Sequence, residues 1–479
     1  MKIKPTAIGI SKDDPFKEDL LSRKESAEVL TEFVGNLNET FVLGIDSPWG
    51  TGKTIFLKMW LQHLQNQGYP CIYFNAWEND FSDSPLVSLI GELEIAIDAL
   101  VLGEKQEAIA FKIYEKTKKT GAALLKSALP TAIKLATAGV FDLAAIKQVE
   151  LVDLAEDIAK QQIDEYKTDK KTIVNFRKDL ADLIKTISEK TKPEDRNPLI
   201  FIIDELDRCR PTYAVELLEK VKHLFSVEGL VFILAIDRQQ LAESVRSLYG
   251  SGMDAEGYLR RFIDLEYRFP IPNIEDFING QFARFGLNEI LAAKVGQTHS
   301  DGQILRQVVP KLFSLFGLSL RTQEQCFTQL AVVLRTTQPN AFFYAHLVTF
   351  LICLRVVNRK LYSAYVKGDA TPVEVIDYIQ TIPGGRQLVD SEDGYILEAY
   401  LVNGIRDWKK RSEAIEAISN LANPPSPRKP EDPVVDKVKS DRAKQVNRHL
   451  GWVGQYSQDM IGYLSKKIEL AQRFTTTTS

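Results

Sequence analysis

A short run of small, polar and basic residues carries the clearest chemical signal in the sequence, and it reads Asp46-Ser47-Pro48-Trp49-Gly50-Thr51-Gly52-Lys53-Thr54. The run nearly matches the phosphate-loop pattern GxxxxGK[ST], with Ser47 in place of the first glycine. Gly50 and Gly52 let the backbone curl so that its N–H groups point at phosphate oxygens. Lys53 neutralises the β and γ phosphates, and Thr54 offers a hydroxyl to Mg²⁺. The run therefore predicts a Walker A loop that binds a nucleoside triphosphate with Mg²⁺.

Two carboxylates form a second, independent signal further along the chain. Asp204 and Glu205 directly follow the apolar run 201–203, an arrangement typical of Walker B. Asp204 would hold Mg²⁺ through its water shell, and Glu205 would orient and deprotonate the attacking water. Acidic pairs after a strand also occur as plain turn or helix-cap residues. The phosphate loop upstream in the same α/β pattern favours the catalytic interpretation.

The elements around both motifs alternate in the order of a parallel βαβ unit. Apolar runs bounded by turn residues predict strands at 41–45, 71–74, 199–203 and 230–236. Helical spacing predicts helices at 15–34, 53–67 and 214–225. The sequence therefore predicts an α/β fold whose P-loop NTPase core, built on a parallel sheet, positions both motifs.

Five segments are predicted along the chain, and a helical insertion at about 85–195 separates Walker A from Walker B. The segments are an N-terminal helical lead (1–40), the core (41–270), a helical lid domain (271–420), a proline-rich linker (421–439), and a terminal helix with a disordered tail (440–479). The C-terminal region is predicted to be all-α, with helices at 275–285, 303–316, 321–336, 341–366, 372–380 and 395–420. Prolines in the linker exclude a helix or a central strand there.

Composition excludes several classes of function. The chain has 60 Lys and Arg against 64 Asp and Glu, so its net charge of -4 does not favour a general polyanion binder. The 4 cysteines and 5 histidines are scattered, without the spacings of a disulfide framework or a zinc site. Any catalysis must therefore use carboxylates, lysines or hydroxyls, and a reducing, cytoplasmic location is expected.

No membrane span is expected either. The best candidate, 122–146, contains Lys126, Lys134 and Asp142, whereas a span needs about 20 nearly uncharged residues. The apolar stretch at 6–10 is too short for a signal peptide. The insertion is therefore predicted to be helical and water-soluble.

Several motifs together resemble those of the KAP P-loop NTPases, an ATPase group of the additional-strand catalytic-glutamate class. The phosphate loop is similar to the family's WGxGKT, and 204–209 is similar to its D[DE]LDRC. The family's FNAW, its vlavD strand and its YLeKi…P segment are matched in turn by Phe74-Asn75-Ala76-Trp77, Ala235-Ile236-Asp237 and Tyr258-Leu259-Arg260-Arg261-Phe262-Ile263 with Pro270. The resemblance covers about residues 15–345 and says nothing firm about 346–479.

The resemblance implies roles for four further residues. Asn75 would restrain the catalytic glutamate until a partner binds, and the alternative is an ordinary turn residue at a strand end. Asp237 would sense the γ-phosphate, and the alternative is a helix N-cap. Arg321 would act as a sensor arginine in the lid, and the alternative is a surface arginine. Trp77 could line the site, but core packing is the better interpretation.

Arg261 is a candidate catalytic residue at a subunit boundary. The segment is predicted to be a helix whose Leu259, Phe262 and Ile263 face inward, so at about 100° per residue at least one of Arg260 and Arg261 must face outward. In related ATPases a basic residue of a neighbouring subunit completes the active site, because a guanidinium stabilises charge developing on the γ-phosphate. The alternative is a surface arginine or one paired with a nearby Asp264 or Glu266.

The sequence and the resemblance together predict a cytoplasmic, Mg²⁺-dependent ATPase. Hydrolysis would drive conformational change or assembly of a protein complex, as a homo-oligomer or with other proteins, in a bacterial antiviral defence module. ATP is favoured over GTP because no NKxD-like guanine motif follows the core. The alternatives are a non-catalytic scaffold switched by nucleotide and an ATPase stimulated by nucleic acid, which the net charge of -4 does not support.

Overall fold

A parallel sheet of 5 strands lies in the N-terminal part of the chain, in the order β2-β3-β4-β1-β5. Its strands are β1 (Phe41–Asp46), β2 (Cys71–Asn75), β3 (Leu199–Asp204), β4 (Leu230–Ile236) and β5 (Leu265–Arg268). The computed structural model describes residues 8–82, 84–102, 108–127, 150–191, 197–270, 274–292, 298–338, 342–424, 436–453 and 459–473. The predicted α/β fold with a parallel sheet is confirmed.

Helices cover both faces of this sheet, which explains why β3 and β4 are buried at every position and apolar except for Asp204 at the end of β3. Along each strand, alternate residues enter one of two separate cores. One core joins Ile200, Ile202 and Ile233 to the helices α1 (Lys24–Gly35) and α2 (Lys53–Asn66). The other core joins Phe201 and Phe232 to the helices α3 (Pro85–Leu102), α4 (Ala108–Ser127), α5 (Glu150–Thr191), α6 (Pro211–Leu224), α7 (Arg238–Tyr249) and α8 (Ala255–Leu259).

The register of the strands brings their polar carboxyl ends to one edge of the sheet. Asn75 at the end of β2 is the partner of Asp204 at the end of β3. Asp46 at the end of β1 is the partner of Ile236, which directly precedes Asp237. The loop after β1 and the carboxylates after β3 therefore lie at the same edge of the sheet, as parallel strands require.

The described part of the predicted insertion is helical and consists of α3, α4 and α5. Phe176 of α5 is buried and packs edge-to-face on Phe225, which follows α6. Lys116 of α4 forms an ion pair of 2.6 Å with Asp179 of α5. Residues 128–146 of the candidate membrane segment lie outside the described residues. Within the described ranges, no helix has the length and apolar character that crossing a membrane requires.

The described residues beyond 272 are helical and form a second compact unit, separate from the first unit of residues 8–271. Its helices are α9 (Ile274–Arg284), α10 (Leu287–Ala292), α11 (Thr298–Leu315), α12 (Leu320–Thr336), α13 (Ala345–Val357), α14 (Arg359–Lys367), α15 (Pro372–Thr381), α16 (Gly385–Val389), α17 (Glu392–Asn403), α18 (Trp408–Ala422), α19 (Lys437–Val453) and α20 (Met460–Arg473). The predicted all-α C-terminal region is therefore confirmed.

The division into five segments stays a prediction. Much of the linker predicted at 421–439 falls on residues 425–435, outside the described residues, and so does the tail at 474–479. The helices predicted at 341–366 and 395–420 are each two helices. Asn358 begins α14 by accepting a hydrogen bond from the backbone N–H of Leu361 at 3.0 Å. Asp407 begins α18 in the same way, and these caps explain both breaks.

Candidate functional site

The loop between β1 and α2 has the sharp curvature that the two glycines predict. Gly50 has a φ of 78° and Gly52 a φ of 85°, both in the left-handed region that disfavours other residues. Ser47 is not among the described residues with positive φ, so a side chain fits there without strain. Its Oγ donates to Thr51 Oγ1 at 2.8 Å, and Thr51 Oγ1 donates to the Pro48 carbonyl at 2.8 Å. Hydroxyl contacts thus tie the two ends of the loop together.

Lys53 is buried at the first position of α2 and directs its ammonium back into the loop. Its Nζ donates to the carbonyls of Ser47 and Pro48. Burial lowers the pKa of Lys53, and this effect outweighs four nearby carboxylates that raise it, those of Asp207, Asp237, Asp204 and Asp46. The loop therefore presents a cation, backbone N–H groups and a helix N-terminus at the acidic edge of the sheet, a combination that suits phosphate.

Asp204 is buried at the end of β3, and both of its carboxylate oxygens accept hydrogen bonds. Oδ1 accepts from the backbone N–H of Glu205 at 2.9 Å, and Oδ2 accepts from the hydroxyl of Tyr73 at 2.8 Å. Burial first, and then the charge of Asp204, raise the pKa of Tyr73. Tyr73 therefore stays a donor and fixes the orientation of the carboxylate. The sequence pattern around Tyr73 predicts only a strand and does not indicate this contact.

Glu205 has a φ of 60°, which is unusual for a residue with a side chain, and both of its carboxylate oxygens are engaged. Oε1 pairs with Arg208 Nη1 at 2.8 Å, and Oε2 accepts from Asn75 Nδ2 at 3.2 Å. Asn75 Oδ1 also accepts from the backbone N–H groups of Trp77 and Glu78 at 3.1 and 3.2 Å. Asn75 therefore makes both the turn and the contact with Glu205. Its role as a restraint stays a prediction.

Asp207 links the phosphate loop to the ends of β3 and β4, a role that its place in the sequence does not predict. Its Oδ2 accepts from the Trp49 indole N–H and from the backbone N–H of Asp237, the latter at 3.1 Å. Asp237 accepts from the backbone N–H of Trp49 at 3.1 Å and caps α7 through the N–H of Gln240. Burial raises the pKa of Asp207. Asp237 is thus the N-cap of α7 and also contacts the phosphate loop.

Arg260 and Arg261 are exposed directly after α8. The two acidic residues weighed as their partners are engaged elsewhere. Asp264 pairs with Lys222 at 3.1 Å, and Glu266 pairs with Arg238. The described structure thus leaves Arg261 on the surface, and its proposed role across a subunit boundary stays a prediction.

Two remaining candidates lie on the surface of their elements. Arg321 is the second residue of α12 and is exposed, so the predicted start of this helix is correct while the sensor role stays a prediction. The core position favoured for Trp77 is wrong, because 49% of this residue is exposed. Trp77 lies beneath the guanidinium of Arg208, 5.6 Å from its ring centroid. It therefore belongs to the surface next to Glu205.

Comparisons with known proteins agree with this geometry. The KAP family P-loop domain matches residues 23–338. The Phage T7 exclusion protein of Escherichia coli (strain K12) is 23% identical over 229 residues, which are 48% of this chain but only 29% of that protein. An uncharacterized protein of Methanocaldococcus jannaschii is 26% identical over 183 residues, which are 35% of this chain and 91% of that protein.

Among solved structures, the Aeropyrum pernix ORC2 protein in its ADPNP-ADP complexes covers 94% of this chain, and 95% of that chain is covered. The identity is 12% and the TM-score is 0.31, too low to establish a shared topology. The family match is more informative, because it spans more than half of the chain and includes the phosphate loop, Asn75, the carboxylates after β3 and Asp237. The chain therefore belongs to the KAP family of P-loop NTPases.

Proposed function

We propose that this chain is a Mg²⁺-dependent ATPase. The observation that carries the proposal is the meeting of the phosphate loop with Asp204 and Glu205 at one edge of the sheet. Asp204 is one of the four carboxylates whose charge acts on the Lys53 ammonium, although burial keeps the pKa of Lys53 below its ordinary value. A phosphate held by Lys53 would therefore lie within reach of the carboxylate pair, as hydrolysis requires.

The residues that would hold Mg²⁺ offer hard oxygen donors, which this ion prefers. Thr54, in the first turn of α2, would supply its hydroxyl, and Asp204 would contact the ion through water. The two hydrogen bonds that Asp204 accepts fix its carboxylate and suit such an indirect contact. The bound ion would neutralise charge on the β and γ phosphates.

Glu205 would take the proton of the attacking water, while Lys53 and the N–H groups of the loop would hold the phosphates. Arg208 and Asn75 now engage both oxygens of Glu205. Each oxygen keeps a second lone pair, which could accept a proton from the attacking water. The contact with Asn75 supports the role proposed for that residue, which is to restrain Glu205 until a partner binds.

The order of the strands supports membership of the additional-strand catalytic-glutamate class. β4 lies between β1, which leads into the phosphate loop, and β3, which carries Asp204 and Glu205. One strand, β4, therefore separates the two motifs, and Asp237 directly follows the end of this strand. Asp237 contacts the loop through the N–H of Trp49, a position from which it could sense the γ-phosphate.

The biological role we propose is an assembly or conformational cycle of a protein complex in antiviral defence. One relative is named for the exclusion of phage T7, and this chain spans 29% of it. The helices beyond 272 would be the moving lid, with Arg321 as its sensor, and the protein would work as an oligomer in the cytoplasm.

A phosphate-release assay on the purified chain tests the proposed activity. We expect steady release from ATP with Mg²⁺ and a loss of release when EDTA removes the metal. Nucleotide binding without any release would favour the switched scaffold instead. Release that requires DNA or RNA, and falls steeply with salt, would favour an ATPase stimulated by nucleic acid.

Arg261→Ala tests the proposed assembly. If Arg261 completes the site of a neighbouring subunit, the variant should keep its affinity for ATP and lose turnover by at least about tenfold. Its specific activity should also no longer depend on protein concentration. Arg246→Ala is the matched control, since Arg246 is a surface arginine paired with Glu243 on α7. Turnover like that of the wild type at every concentration would exclude this role for Arg261.

A further inference from the structure

Arg23, directly before α1, is a buried cation whose hydrogen bonding is incomplete. Only 3% of the residue is exposed. Its Nη2 donates to the carbonyl of Thr51 in the phosphate loop at 2.8 Å. Its Nε and Nη1 are buried, and neither has a hydrogen-bond partner within the described part of the chain. Burial lowers the pKa of Arg23 to about 10. A buried charged group that lacks hydrogen bonds destabilises the folded protein. A ligand that offered acceptors to Nε and Nη1 would remove this cost.

The carboxylate of Asp19, whose charge acts on Arg23, does not provide such an acceptor. Asp19 accepts from the backbone N–H of Leu21 at 3.1 Å and from that of Lys24 at 3.0 Å. It also accepts from the backbone N–H of Arg23 itself. Asp19 therefore organises the chain before α1 and leaves the guanidinium edge free.

The surroundings of the guanidinium are aromatic and aliphatic, and they adjoin the phosphate loop. Its carbon lies 3.8 Å from the centroid of the Phe269 ring, which packs on Phe56. A β-carbon placed on Gly52 would lie 3.5 Å from Arg23 Nη1 and 3.1 Å from Leu21 Cδ1. Nη1, one of the two unpaired donors, thus lies against the residue that precedes α2.

Arg23 and Lys53 contact different parts of the loop. Lys53 reaches the carbonyls of Ser47 and Pro48, among the carboxylates of the sheet edge. Arg23 reaches the carbonyl of Thr51, among Leu21 and Phe269. The first setting suits phosphates and a metal ion. The second suits an uncharged, planar group with hydrogen-bond acceptors, because a guanidinium offers a flat array of donors and stacks on aromatic rings.

We propose that Arg23 recognises the nucleoside part of the bound nucleotide, donating from Nε and Nη1 to acceptor atoms of the base or ribose. This inference rests on the proposed nucleotide binding and adds a subsite to it. The phosphates occupy the loop and the start of α2, so the nucleoside leaves the loop beside Gly52. Leu21 lies at that point, and its side chain would have to move aside to expose the donors. Arg23 thereby couples the segment before α1 to the ligand.

Calorimetry with two probes, Mg-ATP and Mg-tripolyphosphate, tests the subsite, because tripolyphosphate has neither base nor ribose. Arg23→Lys keeps a cation that can donate to the Thr51 carbonyl but cannot supply the remaining N–H groups. We expect this variant to lose affinity for ATP at least about tenfold and to keep its affinity for tripolyphosphate. Arg23→Ala should lose at least as much for ATP. Lys24→Ala is the control, since Lys24 is the exposed neighbour and pairs only loosely with Glu28 at 4.0 Å.

Other outcomes of the two titrations would support the proposal, overturn it, or contradict the proposed nucleotide binding itself. If Arg23→Lys lost affinity equally for both probes, Arg23 would be a residue that stabilises the loop or binds phosphate. This result would overturn the proposal. An unchanged affinity for ATP would overturn it as well. If the wild type binds ATP but not tripolyphosphate, adenosine, which lacks the phosphates, becomes the second probe. A loss of affinity for adenosine in a normally folded Arg23→Lys protein would support the proposal, and an unchanged affinity for adenosine would overturn it. If the wild type binds neither probe, the proposed nucleotide binding itself is wrong, and this inference fails with it.

Discussion

Lys53→Ala is expected to lower the affinity for ATP by at least about 100-fold, which in practice abolishes binding. The ammonium of Lys53 is the cation at the phosphate loop that faces the carboxylates of Asp207, Asp237, Asp204 and Asp46. Without it, those four negative charges would repel the phosphates, and backbone N–H groups do not replace the lost charge-assisted contacts. The loop would also lose the donor that holds the carbonyls of Ser47 and Pro48.

Calorimetric titration with ATP measures this effect, and a second lysine of α2 provides the control. Lys58 is exposed on the same helix, 5.9 Å from the centroid of the Tyr73 ring, and Lys58→Ala should bind ATP like the wild type. Because Lys53 is buried, thermal unfolding of both variants must show that they fold. A folded Lys53→Ala protein with the affinity of the wild type would refute the assignment of the phosphate loop.

The central strands were predictable because both of their faces are buried, completely in β3 and β4 and at the four inner positions of β1. β1, β3 and β4 are apolar runs bounded by turn residues, and the predicted bounds differ from the observed ones by at most one residue. β5 was not predicted. It is an edge strand of 4 residues, partly or fully exposed at each position, and its sequence Leu-Glu-Tyr-Arg carries no apolar run. Only its pairing with β1 defines it, and a local pattern does not encode that pairing.

The positions of the site residues were predictable to the extent that they are contiguous in sequence. The phosphate loop and the pair Asp204-Glu205 each carry their chemistry within a few residues. The contacts of Tyr73 with Asp204 and of Asn75 with Glu205 instead depend on the register of β2 against β3. No single segment contains that information, so Tyr73 was not found.

The wrong position predicted for Trp77 and the missing prediction for Asp207 have the same origin. An aromatic residue after a strand is ordinarily core, but Trp77 follows the last buried residue, Ala76, and turns outward toward Arg208. Asp207 lies in the segment 204–209, whose resemblance to a family motif does not indicate what this carboxylate contacts. Its contact with the indole of Trp49 emerges once β1 and β3 are placed on either side of β4.

Glu205→Gln is expected to keep ATP and Mg²⁺ bound while turnover falls by about 10²-fold or more. The substitution removes the base but preserves the size of the side chain. A glutamine can still accept a hydrogen bond from Arg208 or Asn75, so the turn after β3 should survive. Asp204, which would hold the metal, keeps its own contacts with Tyr73 and with the backbone N–H of residue 205. ATP should therefore remain trapped.

Calorimetry measures ATP binding, and phosphate release measures turnover. When both are measured on one preparation, they separate this result from a loss of folding. Glu228→Gln is the control, since Glu228 is exposed just before β4, at the other end of the strand from Asp237. Turnover above about a tenth of the wild-type rate would show that Glu205 is not the base. A variant that loses binding together with turnover would place Glu205 in the nucleotide site instead. The contacts with Arg208 and Asn75 favour the first expectation, because they hold the side chain at the sheet edge through its two oxygens, independently of any bound ligand.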